Sequence, residues 1–215
     1  MGVTETTAET PIYIDAWADI VCPWCYVGEA RLRKAAESTG KPVEIRVHAY
    51  ELDPNHGEPE NVMEMLARKF GSAEQAKQMD ARVAELAAAE GLPYTSDRVS
   101  ANSFDAHRLI AAGSQDGRGL EVRDAIQRGH FDGSLDLSNH DHLADAAAAA
   151  GMDRERAAAV LASDEFTDQV RADQAQAREL GVTGVPFTVV GERYAIPGAV
   201  DTAQYAEVIE RVAAE

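Results

Sequence analysis

The chain holds two cysteines in 215 residues, spaced as C-x-x-C within Ala18-Asp19-Ile20-Val21-Cys22-Pro23-Trp24-Cys25-Tyr26-Val27-Gly28. Before them, Ile12-Tyr13-Ile14-Asp15-Ala16-Trp17 reads as a strand of apolar and aromatic residues. After them, residues 29–38 combine alanine, leucine, arginine and lysine at high helix propensity, and Gly40 supplies a stop. The pair therefore sits where a strand ends and a helix begins. Pro23 falls in the first helical turn, where its missing N–H costs nothing. Backbone N–H groups at a helix N-terminus lack intrahelical partners and carry partial positive charge, so they stabilise an anion such as the Cys22 thiolate. A thiolate is the attacking species in disulfide exchange. Cys22 is expected to face solvent as the attacking sulfur, and Cys25, turned toward the helix body, to be the more buried resolving sulfur. Trp24 brings no charge, so support for the thiolate must come mainly from the helix terminus.

Two other readings of the pair stand beside this one. A C-x-x-C can be half of a structural zinc site, but such a site wants four ligands and no second C-x-x-C exists. Two inert, reduced cysteines also fit an intracellular chain. The strand–helix context favours redox chemistry, and no metal site is expected.

Two cysteines in a chain of this length is intracellular usage, and the length suffices for one domain or one domain carrying a large insertion. Residues 1–11 have no basic start and no apolar core of signal-peptide length. They read as a flexible, polar tail on a cytoplasmic protein. No run approaches membrane-spanning length. The formal charge of −17 disfavours nucleic acid and anionic membrane surfaces as partners. The acidic residues are better placed on the solvent faces of alanine-rich helices.

Residues 42–50 alternate apolar and polar with period two, as a half-buried strand does, which completes a right-handed βαβ unit. Residues 51–59 are a loop. From residue 60 to 180 no strand is expected. Val62, Met65, Leu66 and Phe70 share a helical face, and Ser72-Ala73-Glu74-Gln75 opens a helix carrying Met79, Val83 and Leu86 that ends at Gly91. After a linker over 92–101, Asn102-Ser103-Phe104-Asp105 caps a helix, Asp116-Gly117 turns into the next, and Ser138-Asn139-His140-Asp141 caps a third. Asp153 starts a short helix and Ser163 the last one, closed by Gly181. The β pattern returns at Val185-Pro186-Phe187-Thr188-Val189-Val190 and Arg193-Tyr194-Ala195-Ile196, joined by Gly191-Glu192. Asp201-Thr202-Ala203-Gln204 then caps a final helix with Tyr205, Val208, Ile209 and Val212 on one face.

The order β–α–β, helical block, β–β–α is that of an α/β thioredoxin-like fold with a large all-helical insertion. It divides the chain into a tail over 1–11, a thioredoxin-like domain over 12–58 and 181–215, and an insertion domain over 59–180. In that order the loop Gly181-Val182-Thr183-Gly184-Val185-Pro186 lies beside the C-x-x-C helix tip, although Pro186 also reads simply as the first residue of a strand.

Three segments together, Cys22-Pro23-Trp24-Cys25-Tyr26-Val27-Gly28, Asn102-Ser103-Phe104-Asp105-Ala106-His107-Arg108-Leu109 and Gly181-Val182-Thr183-Gly184-Val185-Pro186-Phe187, resemble the DsbA family of thiol–disulfide oxidoreductases in its FrnE-like branch. The resemblance runs from Ile12 to Val212. It implies a cis bond at Val185-Pro186, and a Val185 backbone edge that can pair with an extended substrate chain beside the disulfide. It also implies Cys22 and Cys25 as catalytic residues, with Pro23, Trp24, Val185, Pro186, Asn102 and His107 around the substrate. Trp24 stands where the best-known periplasmic members carry histidine, so one positive neighbour of the thiolate is lost and a weaker oxidant is expected.

Asn102 reads equally as a helix N-cap, and His107 better as a hydrogen-bonded structural residue than as a catalytic one. His140 and His142 flank Asp141 without an evident fourth ligand. Trp24 and Phe187 can wall the disulfide, though Phe187 reads better as sheet core. The leading function is disulfide exchange through Cys22 and Cys25, with no bound cofactor beyond the redox-active disulfide. Expected partners are thiol- or disulfide-containing proteins and peptides, or glutathione as co-substrate; a homodimer is compatible. The alternative, drawn from the same resemblance, is a glutathione-dependent isomerase or transferase of the hydroxychromene-carboxylate isomerase or kappa-class type, whose members carry serine at the position of Cys22. A third option is a chaperone-like peptide binder that needs neither cysteine.

Overall fold

The computed structural model describes residues 10–215, so most of the expected tail lies outside the described residues. Strand β1 (Ile12–Ala18) leads through a four-residue loop to helix α1 (Pro23–Thr39), which ends at Gly40 in the left-handed region. Strand β2 (Val43–Ala49) returns parallel to β1 in the register Ile12 to Val43 and Ala18 to Ala49. Much later, β5 (Phe187–Val190) pairs antiparallel with β1, and β6 (Tyr194–Pro197) pairs antiparallel with β5. The sheet order is β2-β1-β5-β6. The hairpin between β5 and β6 needs positive φ at both Gly191 (60°) and Glu192 (58°), as a tight primed turn requires. Gly191 has a second reason: a Cβ there would meet Val212 Cγ1 at 2.6 Å.

One face of the sheet packs Ile14, Ala16, Val190 and Ile196 against Leu32 and Ala35 of α1 and against Tyr205 and Ile209 of α9 (Thr202–Ala213). The Asp201–Gln204 capping box opens α9 as the sequence predicts. On the other face Trp17 packs with Phe187, Val189, Ala177 and Val182. This order and pairing is the thioredoxin-like α/β arrangement, and between β2 and β5 lies the helical insertion.

The insertion has two parts. Helices α2 (Val62–Phe70) and α3 (Ala73–Ala89) pair with each other, and α3 reaches α1 through Val83, Ala87, Leu92, Tyr26, Val27 and Phe131. Helices α4 (Phe104–Gln115), α5 (Gly119–Asp132), α6 (His140–Ala149) and α7 (Arg154–Leu161) build a second core around Leu109, Ile126 and Leu143, and α8 (Thr167–Glu179) packs against α4 and β2. That core also takes in Ile20, and Val21 and Val47 pack against it, so residues next to the cysteines belong to it.

Two expectations are corrected here. The region from 60 to 180 contains β3 (Glu60–Asn61) and β4 (Val99–Ser100), an antiparallel two-residue pairing too short to leave a period in the sequence. The last insertion helix begins at Thr167, not Ser163. The buried Arg108 guanidinium draws in the carbonyls of Ser163 and of Glu165 (2.8 Å), turning them out of any helical ladder, and Phe166 then takes φ 64°. Among the described residues no helix is long and apolar enough to cross a membrane.

Candidate active site

Cys22 is the N-cap of α1, with extended backbone (φ −86°, ψ 110°) and Pro23 following in the first turn. Its N–H donates to the Asp19 carbonyl (3.3 Å), and its own carbonyl accepts from the Tyr26 N–H (3.2 Å), so both ends of the residue are fixed. Its Sγ is directed at the carbonyl oxygen of Val185, 3.7 Å away, in the loop that enters β5. The Val185–Pro186 peptide bond is cis. Gly28 permits this closeness from the helix side: a Cβ there would stand 3.2 Å from both Pro186 Cγ and Ala199 Cβ. Residues far apart in sequence thus meet around one sulfur.

Cys22, Cys25 and Ala18 form one small buried cluster with Val185 packed on it, and both cysteines are free thiols. Cys22 was expected to face solvent and does not; it is 3 % exposed, against 1 % for Cys25. The Val185 loop covers it on one side. The exposed group at the helix tip is Trp24 (38 %). Burial first, then the hydrogen bond and charge of Cys22, push the Cys25 thiol well above its ordinary value.

Behind the cysteines stands Asp19, a buried carboxylate at the end of β1. Its Oδ2 accepts from the Leu52 N–H (2.7 Å) and its Oδ1 lies 3.4 Å from His107 Nε2. Burial opposes the charged form, yet His107, the Leu52 amide and Ser103 outweigh it and hold the Asp19 carboxyl below its ordinary value. The Gln127 side chain donates to the Asp19 carbonyl (3.3 Å), which ties the loop to α5.

On the other side, a cavity of about 660 Å³ opens between the α1 tip and the α2–α3 pair. Cys22, Pro23 and Trp24 line it, with Met65, Leu66, Phe70, Met79 and Val83 opposite. Arg98 and Asp80 form a buried pair in its wall (3.2 Å), joined by Tyr94, whose hydroxyl donates to Asp80 (2.6 Å). His130 also lines it; burial and then the Arg98 charge push its pKa down to about 3, so the ring is neutral.

The structure brings Cys22, Cys25, Pro23, Trp24, Val185 and Pro186 together. Asn102 and His107 are not in the cavity lining. Asn102 Oδ1 accepts from the Phe104 N–H (2.9 Å) one residue before the Ser103 N-cap, while its Nδ2 reaches Glu51 and Pro54 (3.5 Å each). His107 is 3 % exposed and touches the site only through Asp19. Phe187 stands edge-on to Trp17 (6.2 Å) in the sheet core. His140 pairs with Asp105 (2.9 Å) and His142 accepts from the Asp136 N–H (3.2 Å). Among the described residues no group of three or more His, Cys, Asp and Glu is placed to hold a metal. Sequence reasoning missed Asp19, whose charge inside the apolar run 16–22 was the available signal. It also placed Asn102 and His107 around the substrate, whereas the cavity beside the cysteines is walled from α2 and α3, because two apolar helix faces do not announce that they enclose a void.

A family model for the DsbA-like thioredoxin domain matches residues 13–210. The chain belongs to the DsbA-like thioredoxin family. Among solved structures, a probable DsbA oxidoreductase from Streptomyces coelicolor superposes with a TM-score of 0.90 at 37 % identity, over 95 % of this chain and 91 % of that one. A 2-hydroxychromene-2-carboxylate isomerase gives 0.70 at 16 % identity, over 94 % and 96 %. The cytosolic disulfide reductase DsbM from Pseudomonas aeruginosa, with GSH, gives 0.61 at 20 % identity, over 94 % and 96 %. The last two show the shared fold. No curated protein matches. For a DsbA-like chain the arrangement of the two thiols, the helix N-terminus and the Val185 carbonyl is suited to oxidoreductase chemistry at sulfur.

Proposed function

We propose that this protein is a thiol–disulfide oxidoreductase or isomerase whose redox pair is Cys22 and Cys25. The observation that carries the reading is the Cys22 sulfur at the N-cap of α1, 3.7 Å from the Val185 carbonyl, with Cys25 behind it in the same cluster. The Cys22 thiolate attacks a substrate disulfide, releasing one substrate thiolate and leaving a mixed disulfide. Cys25 then loses its proton and attacks the Cys22 sulfur, releasing the second substrate thiol and forming Cys22–Cys25. Run backward, the oxidised pair accepts electrons from a dithiol. Cys25→Ser is expected to accumulate covalent complexes through Cys22, and Cys22→Ser to lose insulin reduction. An insulin-reduction rate unchanged in Cys22→Ser would sink the proposal.

Trp24 in place of a cationic neighbour supports a potential more reducing than the roughly −120 mV of DsbA, within about −180 to −270 mV. Titration against glutathione buffers measures it. The sparse cysteine usage supports a cytoplasmic setting, where reductive or isomerising flow prevails.

The cavity beside Cys22 favours a second reading, a glutathione-dependent isomerase or transferase acting on a small molecule, with glutathione as co-substrate. Tight glutathione binding together with activity that survives Cys25→Ser would select it.

A further inference from the structure

Disulfide exchange with proteins does not require the cavity described above. Its volume of about 660 Å³ lies in the range of small-molecule sites. The buried Cys22 lines it, and so do the exposed Trp24, Leu52 and Met79. The apolar part of the walls from α2 and α3 is built of aliphatic and thioether side chains with Phe70.

Its charged groups are arranged in a definite way. Asp19 faces His107, Glu60 pairs with Arg68, Asp80 with Arg98, and Asp53 lies 3.6 Å from His56. Lys69 and Arg82 also line the cavity, both exposed, and among the described residues neither has an ion-pair partner. In a chain of net charge −17, the carboxylates of this lining (Asp19, Asp53, Glu60, Asp80) are matched in number by Arg68, Lys69, Arg82 and Arg98, so the opening escapes the acidic excess of the rest of the chain and its cations outside an ion pair are Lys69 and Arg82. A largely apolar cavity with a buried nucleophilic sulfur and two exposed, unpaired cations in its lining defines a ligand with three matching parts.

We propose that this cavity binds a small-molecule disulfide carried on an aliphatic chain that ends in a carboxylate. The sulfur end meets Cys22, the chain lies along α2 and α3, and the carboxylate sits between Lys69 and Arg82. This rests on the redox reading of Cys22 and Cys25. The Cys22 thiolate attacks one ligand sulfur, so a Cys22–S–S–ligand bond forms, the ligand S–S bond breaks and the freed thiolate takes a proton. Cys25 then displaces the ligand. Two electrons and the two protons of the protein thiols end on the ligand as a dithiol, and the protein is left with Cys22–Cys25.

The test is a single turnover of the reduced full-length protein against three probes: lipoate, with chain and carboxylate; lipoamide, with the chain but no charge; and glutathione disulfide, anionic but without the chain. Each second-order rate is divided by that of dithiothreitol with the same probe, which removes intrinsic reactivity. Lipoate is expected to exceed lipoamide by about fivefold at low salt, the scale of two exposed ionic contacts, and to approach it at high salt. Lipoate is also expected to exceed glutathione disulfide. The Lys69→Ala/Arg82→Ala double variant, altered only at exposed positions, is expected to bring the lipoate-to-lipoamide ratio close to one. Equal wild-type rates for those two probes, a rate for glutathione disulfide matching that of lipoate, or a ratio that survives the double substitution, overturns the proposal. Oxidation by insulin but by none of the three probes overturns this inference and leaves the redox reading standing. Oxidation by neither overturns both.

Discussion

Cys25 is almost completely enclosed, and the same burial that excludes solvent raises the cost of its thiolate. Its deprotonation is therefore coupled to the moment when Cys22 has become part of a mixed disulfide and no longer adds negative charge nearby. In Cys22→Ser, burial remains as the first cause. Iodoacetamide is expected to alkylate Cys25 in the native variant far more slowly than in the urea-unfolded variant at about pH 8, the ordinary titration range of a free thiol. Equal rates would show that the site opens freely. Asp19 is the opposite case, a buried carboxylate kept ionised by His107 and the Leu52 amide. Its folded pKa lies below its unfolded value, so its stabilising contribution is present above about pH 4 and lost as pH falls through the folded value. Asp19→Asn leaves His107 without its anion and is expected to cost about 3 kcal/mol at neutral pH, read from urea midpoints. The gap between variant and wild type should narrow in acid. A gap that stays constant across pH would mean that the cost is steric.

Between elements, His48 of β2 is the main polar tie from the sheet to the insertion. Its Nε2 lies 2.8 Å from Asp15 of β1 and its Nδ1 3.2 Å from Asp173 of α8, while the ring stacks on Trp17 at 4.5 Å. Asp173 also accepts from the Ala49 N–H (3.0 Å) and from the Gln169 side chain (3.0 Å). Burial works against the imidazolium, but the hydrogen bonds and charges of Asp15 and Asp173 raise its pKa to about 9. A raised pKa means that the stabilisation is full below the unfolded value near 6.5 and disappears as pH climbs past 9. The full contribution is of order 3 kcal/mol at most. His48→Gln is expected to lower the urea midpoint at neutral pH and to remove most of the loss that wild type suffers between about pH 7 and 10. An unchanged alkaline limb in the variant would assign that loss to other groups. A second contact between elements is Gly28 against Pro186 and Ala199, where neither neighbour is a flexible chain end. Gly28→Ala should push the Val185 loop from Cys22, costing about 1 kcal/mol and slowing insulin reduction more than that loss of stability explains.

At the scale of the whole molecule, what was legible in the sequence was what local pattern encodes. The strand before Cys22, the helix after it, the hairpin at Gly191-Glu192 and the caps at Asn139, Asp153 and Asp201 all follow from residue type and spacing. The pairing of Cys22 with the Val185 loop followed from element order together with the family resemblance. What was not legible depends on how separate elements close on each other: the burial of Cys22, the void under α2 and α3, and the carbonyls that Arg108 pulls out of a helical pattern that begins at Ser163. The division into 12–58 with 181–215 and a separate 59–180 raises a thermodynamic question of the same kind. Trp17 donates to the Asp173 carbonyl (3.1 Å) and packs on Ala177, so the sheet uses α8 as part of its own cover. Ile20, beside the cysteines, is fully buried in the insertion core. Removing either part would bare these side chains and leave buried polar groups such as the Ala49 N–H unpaired. The chain is therefore expected to unfold in urea as one cooperative unit. In a Trp24→Phe variant, Trp17 fluorescence reports the sheet and far-ultraviolet circular dichroism reports mainly the helices, and the two curves should coincide. Helical signal persisting after Trp17 has become exposed would make residues 59–180 a domain in the thermodynamic sense, and the ties through Asp173 and Ile20 weaker than their burial implies.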